Sequence, residues 1–503
     1  MRKFLFVLTI YLFAVQTNAQ NGTDALRYSL LPNGNGTARS MGIGGAIGAL
    51  GADFAAIGVN PAGLANYRTS EFVFSLGYNT TAVKSKLEGD EKNIAIAERS
   101  AKFNLNNIGF VGSRRPSRGN WTTANWAIGV NRLANYGNSF YFDGIGKGSI
   151  INRFQEKANT ALDKGDGLNS FEEGLAEEAN AIYKSNLVNS YASDFDGSKS
   201  VVISKTQQAV INGRANEVVL SYAANYKEKI MIGATIGIPF VSFNENKTYE
   251  ENDKISTNGD KLDDVPYFKE LVFRENLTQN GSGLNAKLGI IFRPTQKLRL
   301  GAAVHSPTIY SLTDNFNTEL IYNYVDGSGP ISNTAKSPDG SFEYVLRTPT
   351  KFIGSAAYLF GKKGFISADV DYIDYSTMSF QFDSDKATAI KVNQAIADNY
   401  KATVNLRVGA EYVKDIFRFR VGLSTLGLPS KGFENKNYFS NATKIYTLGA
   451  GIRENKFYAD LAYQISQSNT TDKPYLVSED YSQPLVNKSR NQGQLIATVG
   501  FKF

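Results

Sequence analysis

From Glu71 to the carboxyl terminus, apolar side chains recur at every second position, the period of a strand with one face in an apolar medium. Val218, Leu220, Tyr222, Ala224 and Tyr226 share one face, and Ser221, Ala223 and Asn225 the other. Ile230, Ile232, Ala234, Ile236 and Ile238 likewise oppose Gly233, Thr235 and Gly237. The same alternation runs through 298–305, 403–412 and 417–424. The connections alternate too. Those at 116–120, 227–229, 294–297, 361–364, 413–416 and 454–456 are tight. Those near 84–102, 143–214, 251–280, 326–340, 381–399, 427–440 and 471–489 are long and polar. A soluble sandwich also alternates, but short turns at one end and long loops at the other mark a transmembrane barrel. Six turns and seven loops join fourteen strands. The pattern therefore predicts an all-β fold, a transmembrane antiparallel β-barrel of about 14 strands over 70–503.

The last strand fits this picture. Leu495, Ala497, Val499, Phe501 and Phe503 share a face opposite Gln494, Thr498, Gly500 and Lys502. Such a strand can close the barrel, as lipid requires, because an open edge would leave backbone groups unpaired. The final aromatic resembles the signal read by the barrel assembly machinery, an expected partner during biogenesis. No stretch after residue 19 approaches 18 consecutive apolar residues, so no transmembrane helix is expected.

The first seventy residues follow another grammar. Met1-Arg2-Lys3, the apolar run Phe4 to Val15 and Thr17-Asn18-Ala19 read as a secretory signal peptide over 1–19. The stretch GTARSMGIGGAIGALGADFAAIGVNPAGL, from Gly36 to Leu64, is too glycine-broken for a long helix and too apolar for a solvated linker. It reads as a plug, placed within a segment spanning 20–69.

Composition narrows the function. With no cysteine, disulfides, thiol catalysis and cysteine metal sites are excluded. The formal charge of +7 falls to +5 without Arg2 and Lys3, and the basic residues are scattered, so no nucleic-acid partner is expected. Tyrosine (27) and phenylalanine (32) are abundant enough to furnish the aromatic girdles of an outer-membrane barrel. The largest loop, near 143–214, carries apolar residues at helical spacing from Asn152 to Tyr183, broken at 164–167. Two short helices over the outer mouth are expected there. The aspartates and glycines at the break lack the full calcium-loop pattern.

The plug then becomes specific. Gly36-Thr37-Ala38-Arg39, Gly42-Ile43-Gly44-Gly45-Ala46, Ala52-Asp53 and Asn60-Pro61-Ala62-Gly63-Leu64 resemble the N-terminal hatch of the FadL family. These are outer-membrane transporters of long-chain fatty acids and other hydrophobic compounds, and the phrasing is similar to the branch found in Bacteroidetes. His305-Ser306-Pro307-Thr308, Thr348-Pro349 and Ala368-Asp369-Val370-Asp371-Tyr372 resemble the family's strands. The resemblance implies a barrel in the bacterial outer membrane, plugged from the periplasmic side. It also implies a hydrophobic small-molecule ligand captured by the outer loops and released sideways where strand 3 kinks. Hatch or gating residues would be Gly36, Arg39, Gly44, Gly45, Asp53, Asn60, Pro61, Ala62 and Gly63. In strand 3 the alternation Trp126, Ile128, Val130 slips at Arg132-Leu133 before Asn135-Tyr136-Gly137. A one-residue slip marks either a bulge at such a lateral gap, with Asn131, Arg132, Leu133 and Gly137 as its residues, or the strand leaving the membrane. Pro61 restricts Asn60 to extended backbone, and the Asn60 side chain is expected to tie the plug to nearby backbone.

Catalysis finds little support. His305, the sole histidine, faces the lumen, while Ser306 should face away from it, so no serine–histidine pair forms. Asp369 with Asp371, Arg407 with Glu411, and Arg418 with Arg420 share strand faces and read as opposite charges lining a polar lumen. The expectation is a non-enzymatic monomer without cofactor or metal, surrounded by outer-membrane lipid and lipopolysaccharide. Rival readings are a general porin for hydrophilic solutes, a surface adhesin or receptor using the 143–214 loop, and an outer-membrane hydrolase.

Overall fold

Alternation becomes a closed wall in the computed structural model, which describes residues 22–31, 36–117, 119–185, 189–195, 201–253, 265, 267–383, 385–431, 442–478 and 481–503. The signal peptide expected over 1–19 lies outside the described residues. Among the described residues, fourteen strands cross the wall. They are β1 Glu71–Leu87, β2 Ile96–Arg114, β3 Trp121–Asn135 resuming as Asn138–Lys147, β4 Val202–Tyr226, β5 Ile230–Asn252, β6 Phe268–Phe292 and β7 Leu298–His305 resuming as Ile309–Asp326. The second half comprises β8 Gly340–Arg347 resuming as Lys351–Leu359, β9 Gly364–Asp374 with Ser379–Gln381, β10 Ala402–Lys414, β11 Phe417–Leu426, β12 Thr443–Arg453, β13 Phe457–Asp472 and β14 Val486–Lys502. Each pairs antiparallel with the next, and β14 returns to β1 from Glu71↔Lys502 to Leu87↔Val486. The Phe503 amide donates to Ser70 O at 3.1 Å and completes the seam.

The two faces divide as a membrane-spanning barrel requires. Leu220, Tyr222, Ile232 and Ile236 point outward and are exposed, while Val219, Ser221 and Thr235 beside them are buried inside. Aromatic pairs ring the short-turn end: Phe110–Trp126 at 5.3 Å, Trp121–Tyr226 at 5.2 Å and Phe457–Phe501 at 5.4 Å between centroids. Such rings suit an interface where one side is apolar and the other wet.

The strands climb further than the alternation suggested. The loop read as 143–214 narrows to 148–201, because Asn138–Lys147 pairs with β4 from Ile211 up to Val202. The loop read as 84–102 shrinks between Leu87 and Ile96, and that at 471–489 between Asp472 and Val486. The loop at 381–399 contains helix Lys386–Asn399, and that at 326–340 contains the strand Gly329–Lys336. Above the hydrocarbon both faces of a strand meet polar surroundings, so the period-2 signal fades while the hydrogen-bond ladder continues.

The insertion carries two helices, Ile150–Lys164 and Glu173–Glu178. Ser149 and Asn152 form a capping box at the first, and Gly165, at φ 71°, ends it in the left-handed conformation that glycine tolerates best. Phe154, Leu175, Ile182, Phe195, Phe268 and Tyr322 form the apolar core of this outer cap. At the helix start, Ser149 and the Ile150 amide bond to the buried Glu251 carboxylate, which also pairs with Lys205 at 2.9 Å.

Candidate functional site

The segment read as one plug divides in two. Residues 36–67 fill the lumen toward the short-turn end, and helix Gly22–Ser29 sits above them, nearer the outer cap. In the lower part, Thr37 caps helix Ala38–Gly42 and donates to Asp53 Oδ1 at 2.7 Å, while Asp53 caps the turn Phe54–Gly58 through the Ala55 amide. Arg39 donates to Gly51 O and Ala52 O, at 3.2 and 2.9 Å, and faces Glu411 of the wall at 3.8 Å. Asn60 caps the turn Pro61–Asn66 through the Ala62 amide. Its Nδ2 donates to Gly48 O at 2.8 Å and to Ile290 O of β6 at 3.1 Å, so one amide joins two plug segments to the wall.

Lumen-facing side chains receive the plug's backbone. The amides of Ala38, Gly44 and Gly48 donate to Thr498, Thr447 and Asp369 at 2.7, 3.0 and 3.0 Å. Ser367 donates to Ala46 O, Asn125 to Leu64 O and Tyr67 O, and Arg299 to Leu50 O. Contact this close needs wall positions without a side chain. A Cβ on Gly289 would stand 1.9 Å from Asn60 Oδ1, and one on Gly422 would stand 2.2 Å from the Gly44 amide nitrogen. Sequence reasoning missed these wall glycines as contact positions, although Gly422 stood on the lumen face of the alternation over 417–424. Gly36, Gly44, Gly45 and Gly63 lie in the plug as read, Gly44 and Gly45 at positive φ.

Several wall charges around this plug are paired, whereas among the described residues Arg299 bonds only to the neutral Leu50 O. Arg407 grips Asp371 through two bonds of 2.5 and 2.6 Å, rather than pairing with Glu411 along its own strand. Arg420 holds Glu411 and Asp460, each at 2.6 Å. Glu217 holds Lys287 at 2.5 Å and Asn285 at 2.9 Å. His305 Nε2 lies 2.9 Å from Val59 O, a plug contact, and Ser306 bonds to neighbouring backbone instead of to His305.

Above the plug, Tyr28 donates to Gln279 Oε1 at 2.9 Å, and the Arg27 guanidinium lies 3.8 Å over the Phe243 ring. Tyr28 packs among Tyr136, Tyr310, Leu346, Tyr375 and Phe380 in an apolar cluster spanning the lumen. Between this helix and the cap lies a cavity of about 550 Å³. Phe140, Phe171, Phe273, Phe316 and Leu277 line it, alongside charges of both signs. Sequence reading gave residues 22–31 no separate place, since eight residues carry too little periodicity to stand out.

The third part is the interruption of β3. Pairing between β2 and β3 ends at Asn107↔Asn131, where the two amide side chains meet at 3.2 Å. Beyond it β2 pairs with β1 and β3 pairs with β4, so the two neighbours part. The register shifts between Arg132 and Ala134, leaving Leu133 bulged against the lumen cluster, and the strand breaks at Tyr136-Gly137. The slip read from the sequence coincides with the register shift in β3 and lies just beyond the last β2–β3 pair.

A closed fourteen-stranded wall, an N-terminal plug and a third strand that parts from the second make a distinctive combination. The overall fold recurs in solved structures. A FadL homologue of Pseudomonas aeruginosa superimposes with a TM-score of 0.52 at 13% identity, covering 93% of this chain and 98% of that one. The fold is that of the FadL family. The toluene transporter TodX of Pseudomonas putida shares it with a TM-score of 0.50 at 12% identity over 93% and 98% of the two chains. No family model matches the chain, and no curated protein matches its sequence. At such identities the FadL-type fold is what the likeness establishes, and the residues described above carry the rest.

Proposed function

We propose that the chain is an outer-membrane channel for passive uptake of hydrophobic small molecules, long-chain fatty acids among them, without enzymatic activity. The observation that carries this reading is a lumen packed by residues 36–67 beside a wall whose pairing stops between β2 and β3. In this reading the plug opposes straight passage, whereas an apolar solute gains by leaving sideways into lipid. The named functions of fold neighbours, a toluene transporter and a FadL homologue, support the same class.

In this reading the ligand enters the aromatic cavity beneath the outer cap and passes along the apolar cluster around Tyr28. It leaves where Leu133 bulges. Each methylene removed from water favours capture by about 0.8 kcal/mol, and a concentration gradient suffices to drive net flow. Outer-membrane lipid and lipopolysaccharide surround a monomeric barrel, and the assembly machinery engages the β14 end during biogenesis.

Uptake of labelled oleate by cells lacking their own transporter tests the reading. The wild type should restore uptake, and a variant carrying Asn60→Ala and Pro61→Ala should change it. A folded, surface-exposed wild type that takes up neither oleate nor aromatic hydrocarbon would overturn the proposal. Rapid swelling of sugar-loaded liposomes would instead favour a general porin.

A further inference from the structure

The gap between β2 and β3 is polar and positively charged, which a passage for a neutral hydrocarbon does not need. A cavity of about 290 Å³ lies in the wall there. Asn79, Thr81 and Lys102 reach it from lumen-facing positions, and Phe103, Arg214 and Ser242 from outward-facing ones. Lys102, Arg132 and Arg214 line it, and no carboxylate does. Among the described residues none of the three pairs with an acid, in contrast to the matched ion pairs around the plug. Arg132 is only 7% exposed, and its charged neighbour Arg214 has the same sign. A buried guanidinium without a counter-ion is costly, and a second cation beside it adds to the cost.

The bonds these cations do make are weak substitutes. Arg132 spends both Nε and Nη2 on one neutral acceptor, Leu105 O, at 3.3 and 3.2 Å. Lys102 reaches across the gap to Asn212 Oδ1 and lies against Gly137, where a Cβ would stand 3.1 Å from Nζ. Charge-assisted bonds to an anion are shorter and about twice as strong. These two side chains are also ties across the opening, from β2 to β4 and from β3 to β2.

We propose that Lys102, Arg132 and Arg214 bind the anionic head group of an amphiphile, a carboxylate or phosphate, within the wall where β2 and β3 part. Binding moves Lys102 and Arg132 from their neutral acceptors to the anion, which frees the gap of both ties. The tail then leaves past Phe103, an outward-facing residue that is 84% exposed. The head group belongs either to the transported amphiphile or to a membrane lipid held at the gap. The first case rests on the transport reading above.

The purified barrel in neutral maltoside micelles would be titrated calorimetrically with dodecanoate and with its methyl ester. The wild type should prefer the anion by at least tenfold. Arg132→Gln with Arg214→Gln should erase that preference while leaving ester affinity unchanged. Arg214→Gln alone, at an exposed position that tolerates change, should lower it about threefold. Retention of phosphatidylglycerol in nanodiscs, lost in the double variant and not displaced by dodecanoate, would assign the site to lipid instead of the transported molecule. Equal affinity for acid and ester together with no anionic-lipid retention would overturn the site. Cells taking up neither acid nor ester would defeat the transport reading alone, because the anion preference is measured without transport.

Discussion

The wall is built in two ways on the two sides of its lumen. Around residues 36–67 every strand pairs with both neighbours, Arg407 and Arg420 find carboxylates, and glycines let the plug backbone reach the wall. Between β2 and β3 the ladder stops at Asn107↔Asn131, and three cations have no acid among the described residues. Complete pairing in a low-dielectric interior makes a rigid partition, since removing any member strands a charge. Incomplete pairing leaves a part of the wall held by side chains alone, which a ligand can replace one bond at a time. On the proposed reading, the first side supplies stability and the second the capacity to open.

The sharpest way to break this comparison is to unbalance the paired side. Arg407→Met leaves Asp369 and Asp371 buried without their guanidinium, and Asp369 also holds the Gly48 amide of the plug. Removing one partner of a buried pair costs about 3–5 kcal/mol. The variant should lose a large part of its thermal stability, read by the temperature at which the barrel unfolds in detergent. It should also leak small sugars into liposomes. Unchanged melting and a tight lumen would show that the plug does not depend on this triad.

Next comes an attempt to make the open side resemble the paired one. Gly137→Asp would place a carboxylate within reach of Lys102 Nζ, which lies 3.1 Å from the Cβ position. Gly137 has no positive φ to preserve, and the obstructing atom is the end of a flexible side chain. The new pair should strengthen the tie across the gap and lower amphiphile uptake about tenfold, with melting unchanged or slightly raised. Full uptake by this variant would separate release from the β2–β3 gap.

The sequence revealed these two sides unequally. The fourteen strands were legible because lipid and lumen impose opposite demands on alternate residues. Their outer ends were not, because Thr206, Gln207 and Gln208 meet polar surroundings on both faces. In the plug, Pro61 announced an extended Asn60 whose side chain ties to nearby backbone, but the receiving glycines at 289 and 422 lie hundreds of residues away. At the gap the slip at Arg132-Leu133 was visible in one strand. Its charge was not, since Lys102 and Arg214 come from β2 and β4 and meet Arg132 only once the barrel forms. Patterns repeated along a strand can be read locally, whereas a site assembled across strands depends on register.

The smallest effect concerns where the plug joins the barrel. Glu228, in the turn between β4 and β5, accepts bonds from Arg68 and, at 3.2 Å, from Arg293, which also reaches Asn66. The Arg68 bond, against some opposing burial, holds this carboxyl at a pKa of about 2, from an ordinary 4.5. A depressed carboxyl stabilises the folded state fully above its unfolded pKa, and that contribution fades as pH falls from about 4.5 toward 2. Because the side chains of Glu228 and Arg68 are 44% and 38% exposed, solvent screening reduces the contribution to under about 1 kcal/mol. Glu228→Gln should therefore melt slightly below the wild type at pH 7, with the difference shrinking as the buffer is taken to pH 3. High salt should shrink it further. The same variant should leave Arg407 and its carboxylates undisturbed, so its lumen should stay closed to sugars. A large loss of stability at pH 7, or a leak, would mean that this exposed cluster holds the plug as firmly as the buried pairs do.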